Sequence, residues 1–169
     1  RFYAFAIPFI WVANEEQRAR GLNLSISDIP RIPPQSVDPT VKNYHWLDFI
    51  AGLYCAYESD AENVVLVDLY GNITEGPGFN LFAVKDGRAV TPESGVLEGI
   101  TRTTALELCR ELNIEAVTGT LTAAAVRGAD EVFITSTAGG IMPVSKIDGH
   151  PIGDGEVGPV TQRLTALYW

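Results

Sequence analysis

The 169-residue chain has few of the residues from which metal sites, disulfides and histidine-based catalytic centres are built. Its two cysteines, Cys55 and Cys109, stand outside any Cys-x-x-Cys pair, so we interpret them as packing residues in a reducing compartment. Its two histidines, His45 and His150, are far apart in the chain, at a predicted helix start and in a predicted turn. This scarcity argues against a bound metal ion and against a catalytic triad.

Positive charge is also scarce. Twelve lysines and arginines face 21 aspartates and glutamates, which gives a formal net charge of −9. A chain without a basic stripe cannot neutralise the phosphates of a nucleic acid, and this excludes that class of partner. The apolar run at residues 2–12 is too short to span a bilayer, and Pro8 interrupts it. Because the run also lacks the features of a signal peptide, we predict a cytoplasmic protein without a membrane partner.

Two common nucleotide-binding motifs are missing as well. The chain contains neither Gly-x-x-x-x-Gly-Lys nor a Gly-x-Gly-x-x-Gly between a strand and a helix, which excludes P-loop and Rossmann sites. What remains is the composition of an ordinary globular domain, with 46% hydrophobic and 20% charged residues. Its length is sufficient for one domain with its own core.

Short runs of β-branched and aromatic residues alternate with turn-forming residues along the chain. They predict strands at residues 2–12, 22–26, 64–69, 79–84, 88–91, 114–117, 131–135 and 141–147. The strands between residues 64 and 91 are predicted to form a meander. Four prolines make residues 29–39 an extended connector.

Helical spacing of apolar residues predicts four helices, at residues 46–57, 101–112, 121–127 and 160–169. In the first helix the apolar face consists of Trp46, Phe49, Ile50, Leu53, Tyr54 and Tyr57. In the second helix it consists of Ala105, Leu108, Cys109 and Leu112. Because strands occur in clusters among the helices, the predicted class is α+β and not a doubly wound parallel sheet.

Lys42 is the lysine whose surroundings differ from those of the other two. Lys85 and Lys146 lie beside Asp-Gly turns, where solvated lysines are expected. Lys42 leaves the proline-rich connector toward an aromatic helix, where partial desolvation would make its amine a nucleophile. A lysine that keeps its ammonium group in water is the commoner alternative.

The segment TEGPGFNLF, residues 74–82, carries the most specific pattern, an acidic residue in a glycine-rich bend before an apolar run. Glu75 fits an ordinary turn, but a carboxylate held by such a bend can also pair with a protonated pyridine nitrogen. Gly99-Ile100-Thr101 begins a predicted helix, where free N–H groups can hold an anion. The small-residue loop at residues 136–140 suits phosphate or carboxylate, or is a simple turn.

In this order, the segments resemble the class IV (fold-type IV) PLP-dependent aminotransferases. That family includes branched-chain and D-amino-acid aminotransferases, (R)-selective amine transaminases and aminodeoxychorismate lyase. The resemblance covers residues 37–169 and consists of a lysine, then TEGPGFNLF, Thr-Pro, GVLEGITR and STAGG. It implies the α+β fold of the large, D-amino-acid aminotransferase-like domain and pyridoxal 5′-phosphate (PLP) as the cofactor.

The resemblance also implies roles for single residues. Lys42 matches the lysine that forms a Schiff base with PLP and then moves a proton between the substrate Cα and C4′ of the cofactor. Glu75 matches the carboxylate that faces the pyridine nitrogen, and Leu97 matches a residue that packs against the ring.

Further matches concern the two ends of the bound molecules. Ile100, Thr101 and Thr137 match residues that bind the cofactor phosphate, and Ala138 lies in the loop that borders the acid group of the substrate. Branched-chain enzymes also carry a tyrosine shortly after the lysine, a role that the resemblance assigns to neither aromatic residue of the Tyr44-His45-Trp46 run here.

The N-terminal part of the sequence departs from the family pattern. Members have a smaller N-terminal domain, whereas residues 1–36 resemble only its end and the connector, so we expect that domain to be missing from this sequence. The chain starts at Arg1 and its one methionine is Met142, which also indicates a processed or truncated chain. Residues 37–169 are the predicted PLP-binding domain. The family resemblance further implies a homodimer, because its active sites lie near the subunit interface.

Substrate choice is the least constrained inference. The run at residues 41–48, with residues 136–143 and 147–149, resembles the (R)-selective amine transaminases and their branched-chain-like relatives. We therefore expect transfer of an amino group from an amine or amino acid to a keto acid such as pyruvate. Branched-chain or D-amino-acid transamination and lyase activity are alternatives within the family. A non-catalytic cofactor-binding fragment is the alternative of a different class.

Overall fold

A computed structural model describes residues 2–8 and 12–169 of the protein. Within them lie five helices, α1 Glu15–Arg20, α2 Leu47–Glu58, α3 Ile100–Glu111, α4 Ala123–Arg127 and α5 Pro159–Tyr168. The strands of the same residues are β1 Leu22–Pro30, β2 Asn63–Val67, β3 Asn80–Lys85, β4 Arg88–Pro92, β5 Ala116–Gly119, β6 Glu131–Ser136, β7 Gly140–Ile147 and β8 His150–Pro151. No helix of this part of the chain is both long and apolar enough to cross a membrane.

The strands form one mixed sheet in the order β2-β1-β7-β6-β3-β4-β5, and β8 pairs with β7. The pairs β1–β2, β1–β7 and β4–β5 are parallel, and the pairs β3–β4, β3–β6, β6–β7 and β7–β8 are antiparallel. A sheet of mixed direction beside separate helices confirms the predicted α+β class and excludes a doubly wound parallel sheet.

Side chains of β3 alternate between two hydrophobic clusters, as the period of a strand requires. Leu81 belongs to the cluster on one face of the sheet and Phe82 to the cluster on the other. On the second face the rings of Phe82 and Phe133 stack with their centroids 4.7 Å apart, beneath α3 and α5. A third cluster joins α2 to β2. The strand that leads out of the 74–79 bend is therefore buried on both faces, which fixes the bend in place.

Most predicted elements are confirmed, with bounds that move by a few residues. The strand predicted at residues 2–12 is wrong for residues 2–8, which are exposed and lack regular structure, and residues 9–11 lie outside the described residues. Helix α1 and strand β8 were not predicted. The predicted meander is also wrong in part, because β2 lies beside β1 at the sheet edge and only β3 and β4 form a hairpin.

The buried side of α2 differs from the predicted apolar face. Phe49, Gly52 and Ala56 are buried, whereas Tyr54 and Tyr57 are exposed. A Cβ added to Gly52 would lie 2.8 Å from Cδ2 of Leu66. The sheet approaches α2 closely at Gly52 and Ala56, and Tyr54 and Tyr57 therefore lie at the surface.

Helix α5 is attached to the sheet by one buried carboxylate. Glu131, at the start of β6, accepts hydrogen bonds from the backbone N–H groups of Val160 and Thr161, at 2.9 and 2.8 Å, and from the Thr161 hydroxyl at 2.8 Å. A side chain from a distant part of the chain thus accepts the hydrogen bonds of the first-turn N–H groups, which have no partner within the helix.

Replacement of Glu131 by glutamine tests this attachment. In Glu131→Gln one acceptor oxygen becomes an N–H₂ donor that faces backbone donors, so we expect the free energy of unfolding to fall by about 2 kcal/mol. Chemical denaturation of the variant beside Glu107→Gln, an exposed glutamate of α3, measures the difference. Equal stabilities of the two variants would contradict the attachment.

Candidate active site

Six of the seven predicted site residues line one cavity of about 430 Å³. It is bordered by the connector after β1, the segment that leads into α2, the bend before β3, the start of α3 and the end of β6. Its lining includes all six residues predicted to bind a cofactor, Lys42, Glu75, Leu97, Ile100, Thr101 and Thr137. Ala138, predicted at the substrate side, follows Thr137 but is not among the lining residues.

Glu75 is held in the cavity wall by a tightly folded bend. The backbone of Thr74 and Glu75 pairs with Leu66 through N–H···O bonds of 2.9 and 3.1 Å. At Gly76 any side chain would overlap the ring of Phe79 and the carbonyl of Val64, and Gly78 has a φ of +84°. Glycine is required at the first position for space and favoured at the second for backbone conformation.

The side chain of Glu75 is only 8% exposed. Its Oε2 accepts a hydrogen bond of 2.8 Å from the backbone N–H of Leu97 and lies 3.5 Å from Nδ2 of Asn80. Its Oε1 lies 3.5 Å from Nη2 of Arg31. Burial raises the pKa of Glu75 above its usual value, although the Leu97 N–H and the charges of Arg31 and Lys42 act in the opposite direction.

The start of α3 presents backbone donors to the same cavity. Gly99 is its N-cap residue, and no side chain caps the helix. A Cβ at Gly99 would overlap Oδ1 of Asn80, whose Nδ2 donates to the Leu97 carbonyl at 2.9 Å. Thr101 is buried and Ile100 is exposed. Because the first-turn N–H groups carry the positive end of the helix dipole, this end of the cavity favours an anion.

Arg102 fixes the orientation of α3 at this point. Arg102 is buried, and its side chain donates hydrogen bonds to the Thr91 hydroxyl, at 3.3 Å, and to the Pro92 carbonyl, at 2.9 Å. Burial lowers the pKa of its guanidinium, and the charge of Glu98 opposes that shift. Both acceptors belong to β4, so the helix start is attached to the sheet.

Lys42 lines the cavity from a segment without regular secondary structure. It lies in the segment between the connector and α2, which has neither helix nor strand, and it is exposed. The partial desolvation predicted for this lysine is therefore wrong for the chain as described. Lys42 lies at the site because its segment continues into α2, which begins beside the 74–79 bend.

Sequence reasoning assigned no role to several residues of the cavity wall, among them Arg31 and Thr135. Within residues 2–8 and 12–169, two buried side-chain polar atoms lack a hydrogen-bond partner, Nε of Arg31 and Oγ1 of Thr135. Both residues line this cavity. Buried polar atoms are normally paired, so two exceptions at one place indicate a site that is completed by a bound molecule. Neither residue belongs to a motif that would have indicated it.

Comparisons with known proteins identify the family of the chain. The family model of the class IV amino-transferases matches residues 1–147. A putative branched-chain-amino-acid aminotransferase of Methanocaldococcus jannaschii is 34% identical over 168 residues, which are 98% of this chain and 57% of the relative. The branched-chain-amino-acid aminotransferase of Escherichia coli K12 is 35% identical over 169 residues, 97% of this chain and 54% of the relative.

Solved structures give the same result. The crystal structure of the branched-chain aminotransferase of E. coli matches with a TM-score of 0.90 at 33% identity, over 96% of this chain and 56% of that one. The T.th. branched-chain aminotransferase with pyridoxamine 5′-phosphate matches with a TM-score of 0.87 at 36% identity, over 91% of this chain and 52% of that one. The protein belongs to the class IV aminotransferase family, and the chain spans about half the length of these relatives.

The unpaired hydroxyl of Thr135 gives a test of the site. In Thr135→Val the buried donor is removed with little change of shape, so we expect the unfolding free energy of the cofactor-free protein to rise by about 1 kcal/mol. If a bound molecule uses the hydroxyl, PLP affinity falls in the same variant.

Denaturation and equilibrium titration with PLP measure the two effects. Thr118→Val, at an outer residue of β5, is the control, since Thr118 is exposed and does not line the cavity. Loss of stability in Thr135→Val, together with unchanged PLP binding, would contradict a role of the hydroxyl in the site.

Proposed function

We propose that this chain is the PLP-binding part of an aminotransferase that moves an amino group from an amino acid or amine to a keto acid such as pyruvate. The observation that carries the proposal is the meeting of Lys42, buried Glu75 and the uncapped start of α3 around one cavity. An amine, a carboxylate and an anion site are the three groups that an aromatic aldehyde with a ring nitrogen and a phosphate requires.

The residues present fit PLP at each of its ends. The first-turn N–H groups of α3 and the hydroxyls of Thr101 and Thr137 would bind the phosphate. Glu75 would accept a hydrogen bond from the protonated ring nitrogen, and Leu97 would pack against the ring. Bound PLP supplies an electron sink for the bond that breaks at the substrate Cα.

Lys42 has two tasks in this arrangement. Its Nζ would hold the cofactor covalently before substrate arrives, and the amine, once released, would accept and return the proton at the substrate Cα. Exposure of Lys42 suits both tasks, because the amine must be reached by an incoming substrate and must change partner in each turnover.

The donor is the finer part of the proposal. The sequence resemblance favours an amine or amino acid, and the names of the relatives favour a branched-chain amino acid. A panel of L-leucine, L-isoleucine, L-valine, D-alanine and an (R)-arylalkylamine, each with pyruvate and with 2-oxoglutarate, separates these donors. Transfer from the L-amino acids alone would eliminate the amine.

The remaining expectations concern the wider protein. The homodimer, the cytoplasmic location and the domain boundary at residue 37 stay predictions. β1, at residues Leu22–Pro30, pairs with β2 and β7 inside the sheet.

Borohydride reduction tests the proposal at Lys42. The purified protein is incubated with PLP, reduced, digested and examined by mass spectrometry, and we expect the phosphopyridoxyl group on the peptide that contains Lys42. Lys42→Ala should lose the label and lower the transamination rate by about 100-fold or more.

Lys85→Ala is the matched control, because Lys85 is exposed and forms an ion pair with Asp130 away from the cavity. Labelling of Lys85 or Lys146 in place of Lys42 would contradict the proposal. Specific labelling of Lys42 without turnover of any donor would favour the alternative of a non-catalytic cofactor-binding fragment.

A further inference from the structure

Arg31 is a buried cation at the back of the candidate active site. It directly follows β1, its side chain is 7% exposed, and its backbone N–H donates to the carbonyl of Val67 at 2.7 Å. A buried guanidinium is costly unless it is paired and hydrogen-bonded. Its partners therefore indicate why the chain places a charge there.

Two residues of α2 hold the guanidinium on one side. Nη1 of Arg31 donates to Oδ2 of Asp48 at 2.7 Å, and the same oxygen accepts the backbone N–H of Ile32 at 2.8 Å. The Cζ atom of Arg31 lies 4.1 Å from the centroid of the Phe49 ring. The ion pair with Asp48 and the aromatic ring of Phe49 leave the guanidinium little freedom.

The other side of Arg31 faces Glu75. Nη2 lies 3.5 Å from Oε1 of Glu75, at the limit of a hydrogen bond, whereas Oε2 is firmly held by the Leu97 N–H at 2.8 Å. Oε1 therefore has the weaker contact of the two oxygens and retains capacity to accept a further donor. The contact is too long for a tight ion pair, but at this distance the charge of Arg31 still acts on the carboxylate.

We propose that Arg31 is a positioning residue that keeps the Glu75 carboxylate ionised and oriented toward a protonated ring nitrogen. The proposal rests on the function proposed above, since the ring nitrogen belongs to PLP. Asp48, Arg31 and Glu75 form what we call the Arg31 array. Asp48 holds the guanidinium of Arg31, Arg31 acts on the carboxylate of Glu75, and Glu75 would contact the cofactor.

The array has a sign that can be tested. Glu75 faces the positive charges of Arg31 and Lys42, the N–H of Leu97 and the amide of Asn80, and beyond Arg31 it faces the negative charge of Asp48. Loss of the Arg31 charge leaves two buried carboxylates without the cation between them, which raises the pKa of Glu75. Loss of the Asp48 charge leaves Arg31 to act on Glu75 alone, which lowers the pKa of Glu75.

The first measurement uses the protein without cofactor. The side-chain carboxyl of Glu75 is followed by ¹³C NMR in protein labelled with [δ-¹³C]glutamate, with Glu75→Gln for assignment. We expect its titration midpoint to move up in Arg31→Gln, to move less in Arg31→Lys and to move down in Asp48→Asn. Arg88→Gln, at an exposed arginine paired with Glu115, is the control and should leave it unchanged.

The second measurement uses the protein loaded with [¹⁵N-ring]PLP. In Arg31→Gln we expect the ¹⁵N signal of the ring nitrogen to move toward the unprotonated position, and kcat to fall about 100-fold with a smaller change of KM. A purely structural role of Arg31 predicts that Arg31→Gln and Asp48→Asn both lower stability without moving the titration midpoint of Glu75 in opposite directions. This result would overturn the proposal.

The two measurements separate the possible failures. Opposite shifts of Glu75 in the cofactor-free protein, together with failure of the wild type to bind PLP, would support the Arg31 array and refute the proposed function. PLP binding through Lys42 with a Glu75 midpoint indifferent to Arg31 would refute the array alone. If Arg31→Gln does not fold, Arg31→Lys and Asp48→Asn still give the predicted difference in sign.

Discussion

Burial of the Glu75 carboxylate is the constraint on which the rest of the site depends. A carboxylate withdrawn from water costs several kcal/mol unless hydrogen bonds and a nearby cation compensate for the lost hydration. Here the compensation comes from the Leu97 N–H and from Arg31. Each compensating group fixes another part of the chain: the Leu97 N–H determines where the loop before α3 lies, and Arg31 determines how the connector after β1 meets α2. Under the proposed function, the contact to the cofactor ring nitrogen and the position of the anion site would both depend on this single buried charge.

The cavity forms because the backbone of the 74–79 bend and that of the α3 start both lie close to β3. Gly76 and Gly99 occupy positions where a side chain would overlap Phe79 and Asn80, and together they permit the bend and the helix start to lie against the start of β3. Asn80 joins the two segments, because its amide contacts the Leu97 carbonyl and lies near Glu75. Since β3 is buried on both faces of the sheet, the segments attached to it are held by the core, which supports a site that needs accurate geometry.

The sequence predicts much of this arrangement, and the parts that it does not predict have physical reasons. The glycine-rich bend, the uncapped helix start and the strand periodicity are local features, and they indicate residues that meet at the cavity. Arg31 lies in a proline-rich connector with no periodicity, and its importance arises from Asp48 and Glu75, which only the fold brings near. The exposure of Tyr54 and the position of β2 beside β1 depend on contacts between distant segments. Such contacts leave no pattern within a window of adjacent residues.

Binding of PLP and of its 1-deaza analogue, in which C–H replaces the ring nitrogen, tests the central role of Glu75 most directly. The two molecules share the aldehyde and the phosphate, so Lys42 and the start of α3 meet the same groups in both. A buried carboxylate that receives the ring N–H predicts that wild type binds PLP about tenfold or more tightly than the analogue, and that Glu75→Gln largely removes this preference. Equal affinities in wild type, or an unchanged preference in Glu75→Gln, would contradict the account.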